Sequence, residues 1–216
     1  MTMQDNQKES VFNLIIVDES GSMGIIQQQA FSGMNETLQT VRQMQQKYPE
    51  QEQRVTLVTF NSAHTTWHYD NTPAMSTKDL RKEDYQPNGC TPLYDAMGSA
   101  ISKVNAMTTD RDHVLVTVIT DGEENSSREW TLQLIRSMIE KLKKQNWTFT
   151  LIGTDNLDVE SMAHSFAIDE HLEFHQDDRG TRSMFERERR SRERYNESVS
   201  RRIPLLKGLF FKDDDK

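Results

Sequence analysis

The sequence predicts an α/β fold: a three-layer, doubly wound, mainly parallel sheet with helices on both faces and one antiparallel edge strand. Three observations predict it. Short β-branched apolar runs recur along the chain. Stretches with three- and four-residue apolar spacing alternate with them. One pair of runs is joined by a connection too short for a parallel crossover.

The elements follow in order. Val11 to Val17 (VFNLIIV) is a buried-strand pattern that stops at Asp18. Between Gly24 and Tyr48 the period changes, and Ile26, Ala30, Met34, Leu38 and Val41 mark a helix with one buried face, with Pro49 just past its end. Arg54 to Phe60 and Thr65 to Tyr69 are separated by four polar residues, so an antiparallel hairpin is expected at a sheet edge. Residues 70–88 are polar and irregular. Pro92 suits the first turn of a helix whose apolar face is Leu93, Met97, Ala100, Ile101 and Val104. His113 to Thr120 (HVLVTVIT) reads as a central parallel strand. Ser126 and Glu129 have capping-box spacing, and a helix carrying Leu134, Ile135, Met138, Ile139 and Leu142 is expected behind them. A strand from Trp147 to Ile152, a helix from Leu157 to Phe166 and a short strand from His171 to Phe174 complete the series.

Composition narrows the function classes. The formal net charge is -8 and the pI about 5.3. Up to Gln176 there are 14 basic and 25 acidic side chains, so the body repels phosphate backbones and nucleic acid is disfavoured as a ligand. Cys90 is the single cysteine, which rules out an internal disulfide. The polar start MTMQDNQKES carries no apolar signal core, and no stretch approaches the roughly twenty apolar residues of a membrane span. A cytoplasmic protein without a membrane partner is the expectation. Residues 1–176 are expected to form one α/β domain, and 177–216 a charged helical tail. That tail mixes nine arginines with six acids from Asp177 through Arg202, continues through the apolar IPLLKGLFF, and ends in an acidic segment expected to be disordered.

In a doubly wound sheet, ligands bind beyond the carboxyl ends of the central strands. Three polar segments are expected there: Asp18-Glu19-Ser20-Gly21-Ser22, Gly89-Cys90-Thr91-Pro92 and Thr120-Asp121-Gly122. Asp18, Ser20, Ser22, Thr91 and Asp121 offer two carboxylates and three hydroxyls. All are hard oxygens, which selects Mg²⁺, with Mn²⁺ or Ca²⁺ as substitutes, over zinc or copper. Two carboxylates at most balance a dication. A partner's carboxylate could then enter a remaining coordination position with electrostatic gain.

These residues resemble the von Willebrand factor type A (vWA) family. Asp18 to Ser22 matches its D-x-S-x-S motif, Thr91 its separate metal-site threonine, and Asp121 its T-D-G aspartate; the resemblance spans roughly residues 11–175. It implies a Rossmann-like fold and a metal-ion-dependent adhesion site (MIDAS) in a stand-alone bacterial or phage-type member. In the family pattern Ser20 and Ser22 ligate directly, Thr91 directly or through water, and Asp18 and Asp121 often through water. The implied activity is protein–protein interaction rather than catalysis. The partner would donate an Asp or Glu, and the setting would be an AAA+ ATPase or a multiprotein assembly; the chain has no P-loop of its own.

Three other functions compete with a binding module. A serine hydrolase needs G-x-S-x-G, and the first glycine is missing around Ser22. An aspartyl phosphotransferase or phosphatase wants a second Asp two residues after the nucleophile, where Ser20 stands. A structural subunit with a vestigial metal site is the third. His64 with His68, and His171 with His175, are four apart and would share strand faces, but zinc would need further ligands. Glu123, Glu124 and Asn125 form either a contact rim or a solvated helix start.

Overall fold

The computed structural model describes residues 9–204 and 208–212. The acidic end expected to be disordered falls largely outside them. The elements are β1 (Glu9–Asp18), α1 (Gln27–Lys47), β2 (Gln51–Phe60), β3 (Thr65–Pro73), α2 (Leu93–Asn105), β4 (His113–Thr120), α3 (Leu132–Leu142), β5 (Trp147–Thr154), α4 (Val159–Ser165), β6 (Glu170–Phe174) and α5 (Asp178–Ser200). A 3₁₀ helix, Gly21–Ile26, precedes α1.

The sheet runs β3-β2-β1-β4-β5-β6. All neighbours are parallel except β2 and β3, the expected antiparallel edge pair. The chain winds from β1 outward to β2 and β3, then returns to place β4 on the other side of β1. The switch of winding therefore falls between β1 and β4.

Both faces of the sheet are covered, which is why the central strands are apolar at nearly every position. Phe12, Leu14 and Ile16 of β1 pack with Leu93, Met97, Ile101, Ile135 and Ile139 of α2 and α3. Ile15 and Val17 face the other way, with Met34 and Leu38 of α1 and Met184 and Phe185 of α5.

Two expectations are corrected. The Ser126–Glu129 capping box does not form; residues 122–131 are a loop, and α3 starts at Leu132 with Thr131 as its N-cap. The loop wins because two acids, Asp95 of α2 and Glu124 of the loop itself, take its amides. Asp95 accepts from the N–H groups of Arg128, Glu129 and Trp130, and Glu124 from those of Ser126 and Ser127. His64 lies in the β2–β3 turn rather than on a strand, while His68 on β3 bonds Thr59 across the ladder.

The expected boundary at residue 176 lies just before α5, and that helix has one face built into the body. Met184, Phe185, Tyr195 and Val199 are buried, and Arg192 is fully so. Arg192 pairs with Glu188 on its own helix and donates to Asn13 Oδ1 and Thr117 Oγ1 of the sheet. Asn13 donates to Gln53, which donates to Asn196 back on α5. A buried polar network thus ties α5 to β1, β2 and β4.

Candidate metal centre

Asp18 is the last residue of β1 and Asp121 follows β4, so the switch of winding sets the two carboxylates side by side. Asp18 is completely buried and held through both oxygens. Oδ1 accepts the Ser20 N–H at 2.7 Å and Oδ2 the Thr120 hydroxyl at 2.6 Å. The first bond folds the chain into a tight turn, and Ser20 enters the 3₁₀ helix as its extended N-cap, with φ -69° and ψ 166°.

Ser20 Oγ and Ser22 Oγ lie 3.2 Å apart, and Ser22 Oγ donates to Asp121 Oδ1 at 2.7 Å. Thr91 arrives on the loop before α2. Its N–H donates to Asn125 Oδ1, and the Asn125 N–H returns to the Thr91 carbonyl. A Cβ added at Gly122 would stand 3.1 Å from Thr91 Oγ1 and 3.9 Å from Asp18 Oδ2. Gly122 therefore leaves free the space these two donors share. All five expected residues converge at one rim. Ser20, Thr91 and Asp121 are buried beneath it, and Gly21, Ser22, Gly89 and Cys90 are exposed around it.

The electrostatics suit a cation. Burial, with Asp121 nearby as the last contribution, raises Asp18 from 3.8 to about 6 against the hydrogen bonds that lower it. Burial also raises Asp121, opposed by the bonds from Ser22 and Gln176. Among the described residues neither carboxylate has a Lys, Arg or His ion-pair partner. Nor could any group of three or more His, Cys, Asp or Glu side chains among them hold an ion. A cation here would rest on two carboxylates, hydroxyls and water, a set that fits Mg²⁺.

Several supporting residues lie outside the five expected ligands. Gln176, at the approach to α5, donates to Asp121 Oδ2 at 2.6 Å. Thr120 holds Asp18, the buried Tyr85 hydroxyl donates to the Asp18 carbonyl at 2.7 Å, and Asn156 donates to the Asp121 carbonyl. Glu19, the variable residue of the motif, is buried; Oε1 accepts the Gln86 N–H, and Oε2 has no hydrogen bond. Of the suspected rim, Glu123 is exposed. Glu124 turns inward to the amides of Tyr94, Ser126 and Ser127, and Asn125 orders Thr91. His175 lies just past the end of β6 rather than on it, and pairs with Asp155 at 2.7 Å.

Among curated proteins none matches this chain. Solved structures do. The chain resembles the vWF domain of the type V pili tip protein Mfa5 from Porphyromonas gingivalis, with TM-score 0.62 and 11% identity over 93% of this chain and 98% of that one. A D319A mutant of the PilB minor pilin from Streptococcus sanguinis aligns at TM-score 0.61 and 9% identity, over 94% of this chain and 65% of that one. The SpRpn10 VWA domain aligns at TM-score 0.56 and 14% identity, over 82% and 94%. The chain thus spans about two thirds of the minor pilin. At these identities the likeness is one of fold. Family membership rests on the match of a domain model to residues 14–187, most of the chain: the protein belongs to the von Willebrand factor type A domain family.

Proposed function

We propose that this domain is a Mg²⁺-dependent protein-binding module of the MIDAS type, which captures an Asp or Glu side chain of a partner at the rim formed by Ser20, Ser22 and Thr91. The observation that carries this reading is the meeting of Asp18, Ser20, Ser22, Thr91 and Asp121, from three separated loops, at one partly exposed point.

The residues divide the work. Asp18 and Asp121 supply the negative charge from below, each fixed by neighbours so that no reorganisation is needed on binding. Ser20, Ser22 and Thr91 present neutral oxygens, which keeps the protein's own charge no higher than a dication can balance. A bound Mg²⁺ would supply an electrophilic position for the partner's carboxylate. A multiprotein assembly is the setting we propose, and the free, exposed Cys90 thiol fits a reducing compartment. Catalysis is disfavoured by Asp18 itself. Both its oxygens accept hydrogen bonds, and no second acid stands at the position of Ser20.

Binding of Mg²⁺ by calorimetry, followed by capture of partners in Mg²⁺ against EDTA, tests the proposal. Asp18→Ala should lower cation affinity by about 100-fold or more and abolish capture. Unchanged capture in EDTA, or by Asp18→Ala, would refute it.

A further inference from the structure

Two residues of the 3₁₀ helix beside the metal centre have no part in holding the fold together. On a 3₁₀ helix, side chains three residues apart eclipse one another. Met23 and Ile26 form one such pair, and both are buried in the core. Ser22 and Ile25 form the next. Ser22 Oγ reaches Asp121 Oδ1 at 2.7 Å, so Ile25 stands on the metal-facing side, one turn along. It is 69% exposed, the most exposed of the large hydrophobic residues described. Left in water, its side chain adds almost nothing to folding.

Gly24 lies between them. Its φ is not left-handed, and a Cβ there would meet nothing within 4 Å. Neither the backbone nor the packing asks for glycine, and a glycine inside a helix costs conformational entropy. What the missing side chain leaves is bare main chain beside Ile25, open to the close approach of another backbone. The charge pattern points to the same side. The formal net charge is -8, yet no charged residue occurs from Ser20 to Asn35. Asp178, which reaches the start of α1, is engaged by the Gln29 amide. Elsewhere on the rim Glu123 is exposed. An incoming carboxylate therefore meets less repulsion over the 3₁₀ helix than over the Glu123 side.

We propose that this helix selects the partner sequence: an extended segment whose Asp or Glu enters the metal centre and whose large apolar residue, two positions away, packs on Ile25 across Gly24. The inference rests on the capture reading above and adds the sequence that is captured. The spacing follows from two rises. Three residues of 3₁₀ helix advance about 6 Å. Two residues of extended chain advance about 6.6 Å and return to the same face. An apolar residue two positions from the acid thus reaches Ile25 while the acid stays at the metal.

Amide chemical-shift titration of the Mg²⁺-loaded protein tests this with three capped peptides: Leu-Ser-Glu-Ser-Leu, Ser-Leu-Glu-Leu-Ser and Ser-Ser-Glu-Ser-Ser. The first should bind about fivefold tighter than the other two and shift the amides of Gly24 and Ile25. Ile25→Ser should bring the first peptide down to the level of the third, with Mg²⁺ affinity and binding of the third unchanged. Gly24→Gln, which fills the bare space, should weaken the first peptide several-fold. Both positions are exposed, so the core is untouched by either change. Equal binding of the three peptides, or a preference for the first that survives Ile25→Ser, would overturn the inference and leave the capture reading standing. No Mg²⁺-dependent binding of any of them would overturn both.

Discussion

Asp18 illustrates how one residue carries opposite meanings for folding and for binding. Its folded-state pKa of about 6 lies above the ordinary 3.8, so the folded domain holds this proton more tightly than the unfolded chain. The sign follows. The group favours folding most when protonated, and that advantage is lost as pH rises through 6, to the order of 3 kcal/mol at pH 8. In EDTA, Asp18→Asn should therefore be more stable than the parent at pH 8 and indistinguishable from it at pH 4. Urea unfolding at the two pH values measures this, and a variant less stable at pH 8 would contradict the burial account. The motif residues Asp18, Ser20, Ser22, Thr91 and Asp121 were legible in the sequence because strand ends and oxygen chemistry coincide there. Gln176 was not: a polar residue outside any motif carries no sign of a partner 55 positions away.

Elements were legible where one periodicity dominates, as in β1, β4, α1 and α2. The start of α3 was misplaced because the local signal at Ser126 and Glu129 was overridden by two acids, chiefly Asp95 of α2. Helix α5 exposes the same limit on a larger scale. Its Arg and Glu content suggests a solvated surface, yet Arg192 and Glu188 are the buried pair that seats it, and the partners Asn13 and Thr117 lie 179 and 75 residues away. Arg192→Met should cost about 3–5 kcal/mol by leaving Glu188 buried without its counter-charge. Adding Glu188→Gln should recover part of that loss. Equilibrium denaturation of the single and double variants checks both statements, and a neutral Arg192→Met would mean the pair contributes nothing to docking.

For the whole molecule, a cation bound only by the folded state must stabilise all of it. Mg²⁺ at 100 times its dissociation constant should add about 2.7 kcal/mol, which for a chain of this size raises Tm by roughly 5–10 °C. Calorimetry with and without EDTA reads this directly; no shift at saturating Mg²⁺ would point instead to a vestigial site. The three-layer architecture was legible because alternating elements leave few topologies open. What no local pattern carries is how tightly the ends of the chain depend on each other. A Cβ at Gly33 of α1 would lie 2.1 Å from the Phe185 ring of α5, so these helices cross at a distance only glycine permits.

That crossing bears on how the protein is made. A ribosome delivers α1 and the first strands long before α5, leaving Gly33 facing no ring and Asn13 and Gln53 without their eventual partners. The nascent chain therefore passes through a stage in which the side of its sheet shared by α1 and α5 is only partly covered, and that side closes when α5 emerges.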